Sequence, residues 1–447
     1  MIRMPDKKDY AGRYAAYLAE IPVKTASGRQ RRQPLLGFCS DLDVVLLWDI
    51  SKYNRLLAQY LHAQPEQGLG KPIASMEDFA KVTSWYISRG LGGCAEIINL
   101  EVCTCLQELF SSEEALGGTC VQAAAALGAM GFSTDAHLTD KSLAVCRLLK
   151  DTGVMTIENC TRIPAEKLSC SKEPIYHIIL QYQKDDELII GDERVRIPCS
   201  NRLIFLYDSI HKHFPVSEDF LHYYEQAAAS PSVYLLSGFD AILDMTVLQD
   251  RLDMLTAHLK VMRQNHPTTV FYLEEAFYLN PEIRQCLLHR LSPMVDIVGM
   301  NEEELADQIQ EQGITIDLTD ARQVLTALDK MRSVYGMRGI VLHTKDYALY
   351  YGKNIPGCDP EKGLAIGNLM AATRARLGKY GTINECKDTL SLPVSKAGTA
   401  FAEKMLDLAM ILKEDRLYIV PSLYMEHPRY TIGLGDTFTA GVLSCFS

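Results

Sequence analysis

Residues 269–304 read TVFYLEEAFYLNPEIRQCLLHRLSPMVDIVGMNEEE, and this stretch alternates between two kinds of pattern. The apolar run at 269–273 has the length of a buried strand, while 281–291 carries its apolar residues in an amphipathic, helical pattern. A second apolar run at 294–299 leads into the acidic helix candidate 302–312. The alternation extends in both directions. Strand 232–236 and the long segment 243–265 precede it, and helix 321–335 and strand 339–342 follow. Strands separated by amphipathic helices predict a parallel sheet covered by helices.

Upstream the pattern changes. Helical spacing runs from Tyr10 to Ile21, a polar stretch covers 24–33, and an apolar strand candidate lies at 35–38. Two further strand candidates, 175–182 and 187–197, flank the polar turn 183–186 and read as a β-hairpin. A hairpin-rich section therefore interrupts an α/β core. The expected architecture is a mostly parallel sheet sandwiched by helices, with a smaller β-rich lid. Residues 1–45, 117–157 and 205–447 are assigned to the large domain, and 46–116 and 158–204 to the lid.

Composition narrows the function. The chain has 447 residues, 47% apolar and 23% charged, which suits a large globular core. Its 45 Lys and Arg against 56 Asp and Glu give a net charge of −11. Without a basic block, such a chain is poorly suited to nucleic acid, and an anionic ligand would need a local positive pocket. The 13 cysteines are scattered, mostly in apolar runs as at Cys146 and Cys445. Cys94, Cys103, Cys105 and Cys120 tempt a zinc reading, but their spacing is not that of a zinc knuckle; buried thiols are the competing reading. Residues 1–30 lack the apolar centre of a signal peptide, and no run approaches a membrane span. A cytoplasmic protein is expected, with neither membrane nor nucleic acid as partner.

The chemistry concentrates at the end of the chain, in Tyr430-Thr431-Ile432-Gly433-Leu434-Gly435-Asp436-Thr437-Phe438-Thr439-Ala440-Gly441. Glycines let backbone N–H groups approach an anion, and the start of a helix adds further N–H groups and the positive end of its dipole. Together these can hold the charge of a transferring phosphoryl group. Asp436 is then placed to accept the proton of an attacking hydroxyl. The bland alternative is a tight turn with Asp436 as a helix cap. No Walker-type Gly-rich run ending in Lys-Ser/Thr is present, so the P-loop class is disfavoured.

This segment resembles the phosphoryl-transfer motif of the ADP-dependent glucokinase and phosphofructokinase family, within the ribokinase-like superfamily. Other segments resemble that family in order, from about residue 35 to the end. Gly37-Phe38-Cys39-Ser40-Asp41-Leu42-Asp43 is similar to its first strand, whose Asn-x-Asp holds sugar hydroxyls. Gly92-Gly93-Cys94-Ala95-Glu96 resembles the lid segment whose glutamate reaches the sugar. Leu116-Gly117-Gly118 resembles the turn that completes the sugar pocket, and Leu236-Ser237-Gly238-Phe239-Asp240 the strand end facing it. Asn201-Arg202 resembles the segment whose arginine handles phosphate.

The resemblance implies an ADP-dependent sugar kinase that uses Mg²⁺ and releases AMP, with a hexose or hexose phosphate as acceptor. Asp436 would be the base, with Gly433, Leu434, Gly435 and Arg202 around the moving phosphoryl group. Asp41, Asp43, Glu96, Gly117, Gly118 and Asp240 would bind the acceptor. His343 and Thr344 would lie near the nucleotide base, with Val420 packing beside it. Glu274 in Phe271-Tyr272-Leu273-Glu274, and Asn301 with Glu304, would serve the metal. Magnesium takes oxygen ligands and keeps waters, so acidic groups suit it. Each assignment has a plainer rival: a helix cap with acidic first-turn residues for Asn301–Glu304, a hydrogen-bonded strand end for His343, a solvated side chain for Arg202, a surface glutamate for Glu96 and a strand-end cap for Asp43. An ATP-using carbohydrate or nucleoside kinase, or a silent sugar- or nucleotide-binding relative, are the other readings of the whole.

Four positions depart from the family pattern. Asp41 stands where asparagine is expected, Asp240 where glutamine is common, Tyr272 in place of histidine, and Thr119-Cys120-Val121 where an amide followed by Ala-Gly is usual. A more acidic pocket favours a neutral, hydroxyl-rich acceptor, because carboxylates repel a phosphate. A sugar phosphate would need a lid cation, which Arg196 or Lys172 could supply. The preference for ADP over ATP rests on the resemblance alone.

Overall fold

The structure, a computed structural model, describes residues 9–26, 32–66, 72–168, 174–409 and 414–446. Lys172 lies outside them. The apolar runs assemble into a ten-stranded sheet, in the order Arg416–Pro421, Tyr347–Gly352, Gly339–His343, Ile297–Asn301, Val270–Glu274, Val233–Leu236, Leu35–Gly37, Thr134–Ala136, Val154–Glu158 and Thr161–Pro164. All strands from Gly339–His343 to Val154–Glu158 run parallel, and antiparallel strands close both edges. Strands such as Val233–Leu236 are buried along their whole length, as expected of a sheet covered by helices on both faces. Among those helices are Met245–Asn265, Pro281–Leu291 and Ala321–Tyr335. This agrees with the expected α/β class, a mostly parallel sheet sandwiched by helices. Among the described residues, no helix is long and apolar enough to cross a membrane.

A second, five-stranded sheet follows the order Gly93–Glu96, Asn201–Tyr207, Tyr176–Tyr182, Asp41–Leu46 and Ser112–Gly117. Two expectations need correction here. Tyr176–Tyr182 does not form a hairpin with the segment after it; it pairs antiparallel with Asn201–Tyr207 and parallel with Asp41–Leu46. Residues 187–197 instead fold back on themselves, Glu187–Ile190 against Glu193–Arg196, turning at Gly191, whose φ of 58° permits the tight reversal. The sheets also divide the chain differently from the expected boundaries. Asp41–Leu46 belongs to the smaller sheet, and Thr161–Pro164 to the larger.

The chain crosses between the sheets at residues 38–40, and again at Gly117–Gly118, where Asp41 and Gly117 are register partners. Gly118 then starts the buried helix Thr119–Ala129 on the large sheet. Several of the candidate site residues, Asp41, Gly117 and Gly118 among them, lie at these crossings.

Candidate active site

The helix Leu434–Leu443 starts in an unusual way. Other helices, at Asp49, Ser75, Asn280 and Asp320, are capped by their own side chains. Here Gly433 stands at the cap with φ 63° and contributes no side-chain hydrogen bond. A Cβ at Gly433 would run into Gln122 Oε1 and come within 3.0 Å of the Arg374 guanidinium. The first-turn N–H groups of Leu434, Gly435 and Asp436 are thus left without a capping side chain. Asp436 lies in that turn, half-buried.

Two residues that the motif did not reveal hold this loop. Arg374 is buried within helix Pro360–Leu377; it donates to Ile432 O at 3.0 Å and to Gln122 Oε1 at 3.0 Å. Its guanidinium also lies 4.2 Å from the Tyr380 ring and 5.3 Å from the Tyr430 ring, at cation–π distance. The sequence signal was an arginine amid the small apolar residues of Ala371-Ala372-Thr373-Arg374-Ala375. Gln122 is an amide on the Thr119 helix, one turn in from where an amide was expected.

On one side of the helix start lies a cavity of about 590 Å³. Leu434, Gly435 and Phe438 form one wall, Asn301, His343, Thr344 and Lys345 a second, and Asn368 with Ser422–Tyr424 a third. His343 and Thr344 therefore line the cavity. Val420 does not: it is buried behind the wall, its carbonyl accepting from Asn368 Nδ2 at 3.2 Å. Thr344 also closes its own turn, its hydroxyl accepting from the N–H groups of Asp346 and Tyr347.

Behind His343 lies an acidic group at adjacent strand ends. His343 Nε2 is 3.5 Å from Glu274 Oε1. Burial would depress this imidazole, but hydrogen bonding and charge from Glu274 outweigh it, so its pKa is raised. Asn301 and Glu304 form a capping box: Asn301 Oδ1 accepts from the N–H groups of Glu303 and Glu304, and Glu304 Oε2 accepts from Asn301 N. The plain reading of these two residues is thus realised, whatever else they do. Burial pushes Glu304 up to about 7, against the Asn301 N–H and His343, with Glu274 adding to the rise. Glu275, not singled out by the sequence, is pushed well above the carboxylate range by burial and by Glu304.

On the other side stands one face of the five-stranded sheet. Register places Glu96, Leu206, His177 and Asp43 in one row across four strands, so their side chains share a face. Asp41 and Asp43, two apart, share it as well. Farther along, Val45, Ile179 and Ile204 pack against Ile432 and Tyr430, and Gln181 Nε2 reaches Thr431 Oγ1 at 3.5 Å. This face thus covers the glycine loop. Arg202 is the register partner of Gln181 and lies on the same face, exposed. Glu96 is exposed at the far edge of the row.

The sequence reading missed the centre of this face. His177 Nδ1 lies 3.0 Å from Asp41 Oδ1 and 3.9 Å from Asp43 Oδ1, and its Nε2 is 3.7 Å from Asp208 Oδ2. Asp208 also meets His211 Nδ1 at 2.7 Å and accepts from the N–H groups of Ile210 and His211. Although burial opposes it, this set of donors holds Asp208 far below the usual carboxylate range. Burial pushes Asp41 up to about 7, against His211 and with Asp208 and Asp140 adding. Asp43 is pushed well up by burial and by Asp41. Asp240, in the turn after strand Val233–Leu236, is raised by burial against His211 and His177. The charge of Asp436 acts on Asp43, Asp240 and Arg374, which places it at the meeting point of this face, the crossing and the loop.

The arrangement is that of a two-sided transfer site: a cavity, an uncapped helix start with a carboxylate, and an acidic face opposite. Comparison with known proteins gives this class a family. Residues 32–445 match the model described as "ADP-specific Phosphofructokinase/Glucokinase conserved region". The chain belongs to the ADP-specific phosphofructokinase/glucokinase family. It is 23% identical over 394 residues to the ADP-dependent glucose/glucosamine kinase of Pyrococcus abyssi (strain GE5 / Orsay), covering 83% of this chain and 84% of the relative. It is 25% identical to the ADP-specific phosphofructokinase of Pyrococcus furiosus over 59% of this chain and 61% of that one. Among solved structures, an ADP-dependent kinase complex with fructose-6-phosphate and ADPβS shares the fold, with a TM-score of 0.77 at 18% identity over 99% of each chain. The last common ancestor of ADP-dependent phosphofructokinases from Methanosarcinales superposes with a TM-score of 0.80 at 19% identity, again over 99% of each.

Proposed function

We propose that this chain is an ADP-dependent sugar kinase that transfers the terminal phosphoryl group of ADP to a hexose hydroxyl and releases AMP. The observation that carries the reading is the position of Asp436, in an uncapped helix turn between the 590 Å³ cavity and the acidic sheet face. The cavity holds the nucleotide, with His343 and Thr344 toward the base. The N–H groups after Gly433, with Arg202, face the phosphates and take up charge as the phosphoryl group moves. Asp436 accepts the proton of the attacking hydroxyl. Asp43, Asp41 and Glu96 orient the sugar, since a carboxylate can accept from two hydroxyls at once; Gly117, Gly118 and Asp240 border it at the crossing. His177 is added to this group on the register argument. Closure of the small sheet over the loop excludes water, which would otherwise compete as acceptor.

The acidic strand ends fit Mg²⁺. Glu274 Oε2 and Glu275 Oε1 are buried with no hydrogen-bond partner among the described residues, and the charge of Glu274 adds to the cost of ionising Glu304, so a hard cation taking oxygen ligands suits them. Glu274 and Glu304 would hold it directly or through water, with Asn301 fixing the start of the helix that carries Glu304. When bound, Mg²⁺ supplies charge neutralisation at the phosphate oxygens. A cytoplasmic setting belongs to the same proposal.

A neutral hexose is the favoured acceptor. Asp41, Asp43, Asp208 and Asp240 border the pocket, while Arg196, one of the two expected lid cations, is paired with Asp185 at 2.9 Å on the surface. Incubation with Mg²⁺, either ADP or ATP, and either glucose or fructose 6-phosphate tests the reading. AMP and a phosphorylated hexose are expected from ADP with the neutral sugar. Failure of ADP to yield AMP with any sugar of a broad panel would overturn it.

A further inference from the structure

The crossing at residues 38–40 carries more chemistry than a sugar pocket requires. Cys39, held at φ 56°, directs its Sγ to within 3.4 Å of His211 Nε2 and 3.8 Å of Asp41 Oδ2. The three ligand atoms all lie within 4.8 Å of one another. Zinc bonds of about 2.0–2.3 Å in a tetrahedron set neighbouring ligand atoms roughly 3.5 Å apart, so two of the edges are already close to size.

The surroundings complete the pattern. Asp208 is fixed as an acceptor by two backbone N–H groups and meets His211 Nδ1 at 2.7 Å. That contact puts the ring proton on Nδ1 and leaves the Nε2 lone pair facing Cys39 and Asp41. A carboxylate behind a histidine in this way is how metal-binding imidazoles are commonly oriented. Asp41 is wholly buried, and its Oδ1 makes no hydrogen bond; its neighbour is His177 Nδ1 at 3.0 Å. A buried carboxylate left with spare acceptor capacity is costly without a cation to meet it.

We propose that Cys39, Asp41 and His211 form a site for Zn²⁺, or a divalent ion of similar softness, at the floor of the acceptor pocket, and that this ion competes with the acceptor. A thiolate, an imidazole and one carboxylate select such an ion over Mg²⁺, which prefers oxygen. Coordination forms an Sγ–Zn bond, breaks the S–H bond and releases the proton to solvent. The competition, unlike the binding, rests on the function proposed above, because it requires Asp41 to serve the sugar.

Titration of the intact protein with Zn²⁺ against a chromogenic chelator, in excess Mg²⁺, measures the site without any turnover. One tight ion per chain is expected. Cys39→Ser and His211→Gln should each weaken it at least about tenfold, and Asp208→Asn, a positioning change, by about 10–100-fold. Co²⁺ added to the unaltered protein should give a thiolate-to-metal charge-transfer band, which settles the matter even if a variant fails to fold. Absence of that band, or unchanged Zn²⁺ affinity in folded Cys39→Ser, would overturn the site. Glucose should raise the apparent Zn²⁺ dissociation constant, and no change would overturn the competition. Zn²⁺ bound as expected by a protein that phosphorylates no sugar would count against the kinase and for this site. An active kinase without the band would do the reverse.

Discussion

His137 illustrates how a single side chain ties the site to stability. It follows strand Thr134–Ala136, is buried, packs edge-on against Phe38 and Phe220, and accepts from Ser217 N at 3.0 Å. Burial, with Lys141 and His211 adding, pushes its pKa down to about 3. Between that value and the ordinary 6.5 of an unfolded histidine, the unfolded chain binds the extra proton, so stability rises with pH through this window and levels off above it. At pH 5 the folded state should have lost about 2 kcal/mol through this residue alone. His137→Gln keeps an acceptor and should flatten that part of the profile. Denaturant melts of both proteins at pH 5 and 7 give the comparison, and parallel profiles would refute a neutral buried imidazole. Single residues were the least legible level in the sequence. Asp436 and Gly433 announced themselves because they adjoin in a motif. His177, Asp208, His211 and Arg374 did not, because only strand register and a helix crossing bring them to the site.

At the scale of elements, the helix Leu434–Leu443 is positioned by a close crossing. Gly441 of Leu434–Leu443 meets Gly367 of Pro360–Leu377, and a Cβ at Gly441 would run into the Gly367 backbone, with the Ile366 carbonyl carbon at 2.8 Å. The same partner helix supplies Arg374 to the glycine loop and Asn368 to the cavity wall. Gly441→Val should therefore cost about 1–3 kcal/mol through overpacking, and should lower kcat because the helix start moves with it. Thermal unfolding and steady-state rates check both halves; an unchanged melting temperature would mean the crossing has slack. Strands and helices of the β–α alternation were readable because burial on both faces leaves long apolar runs. The hairpin pairing was misread because a polar turn such as 183–186 signals a reversal without saying which strand lies across it. Tyr176–Tyr182 found Asn201–Tyr207 instead, a partner set by the whole sheet.

At the scale of the whole molecule, the ten-stranded and the five-stranded sheet are joined by the chain crossings at residues 38–40 and 117–118. The large sheet brings Glu274, Asn301 and His343 to neighbouring strand ends, and the small one presents Asp43, His177 and Glu96 in a row. The fold class was legible from periodicity and the family from six short segments. The division of the chain was not, since the strand Asp41–Leu46 looks like a continuation of Leu35–Gly37 and in fact belongs to the other sheet. The proposed function rests on Asp436 as proton acceptor between nucleotide and sugar. Replacing Asp436 by Asn and measuring kcat for AMP formation alongside ADP affinity is the most direct test. A loss of kcat of about 10²–10⁴-fold with ADP still bound is expected. A variant that turns over at close to the original rate would contradict it.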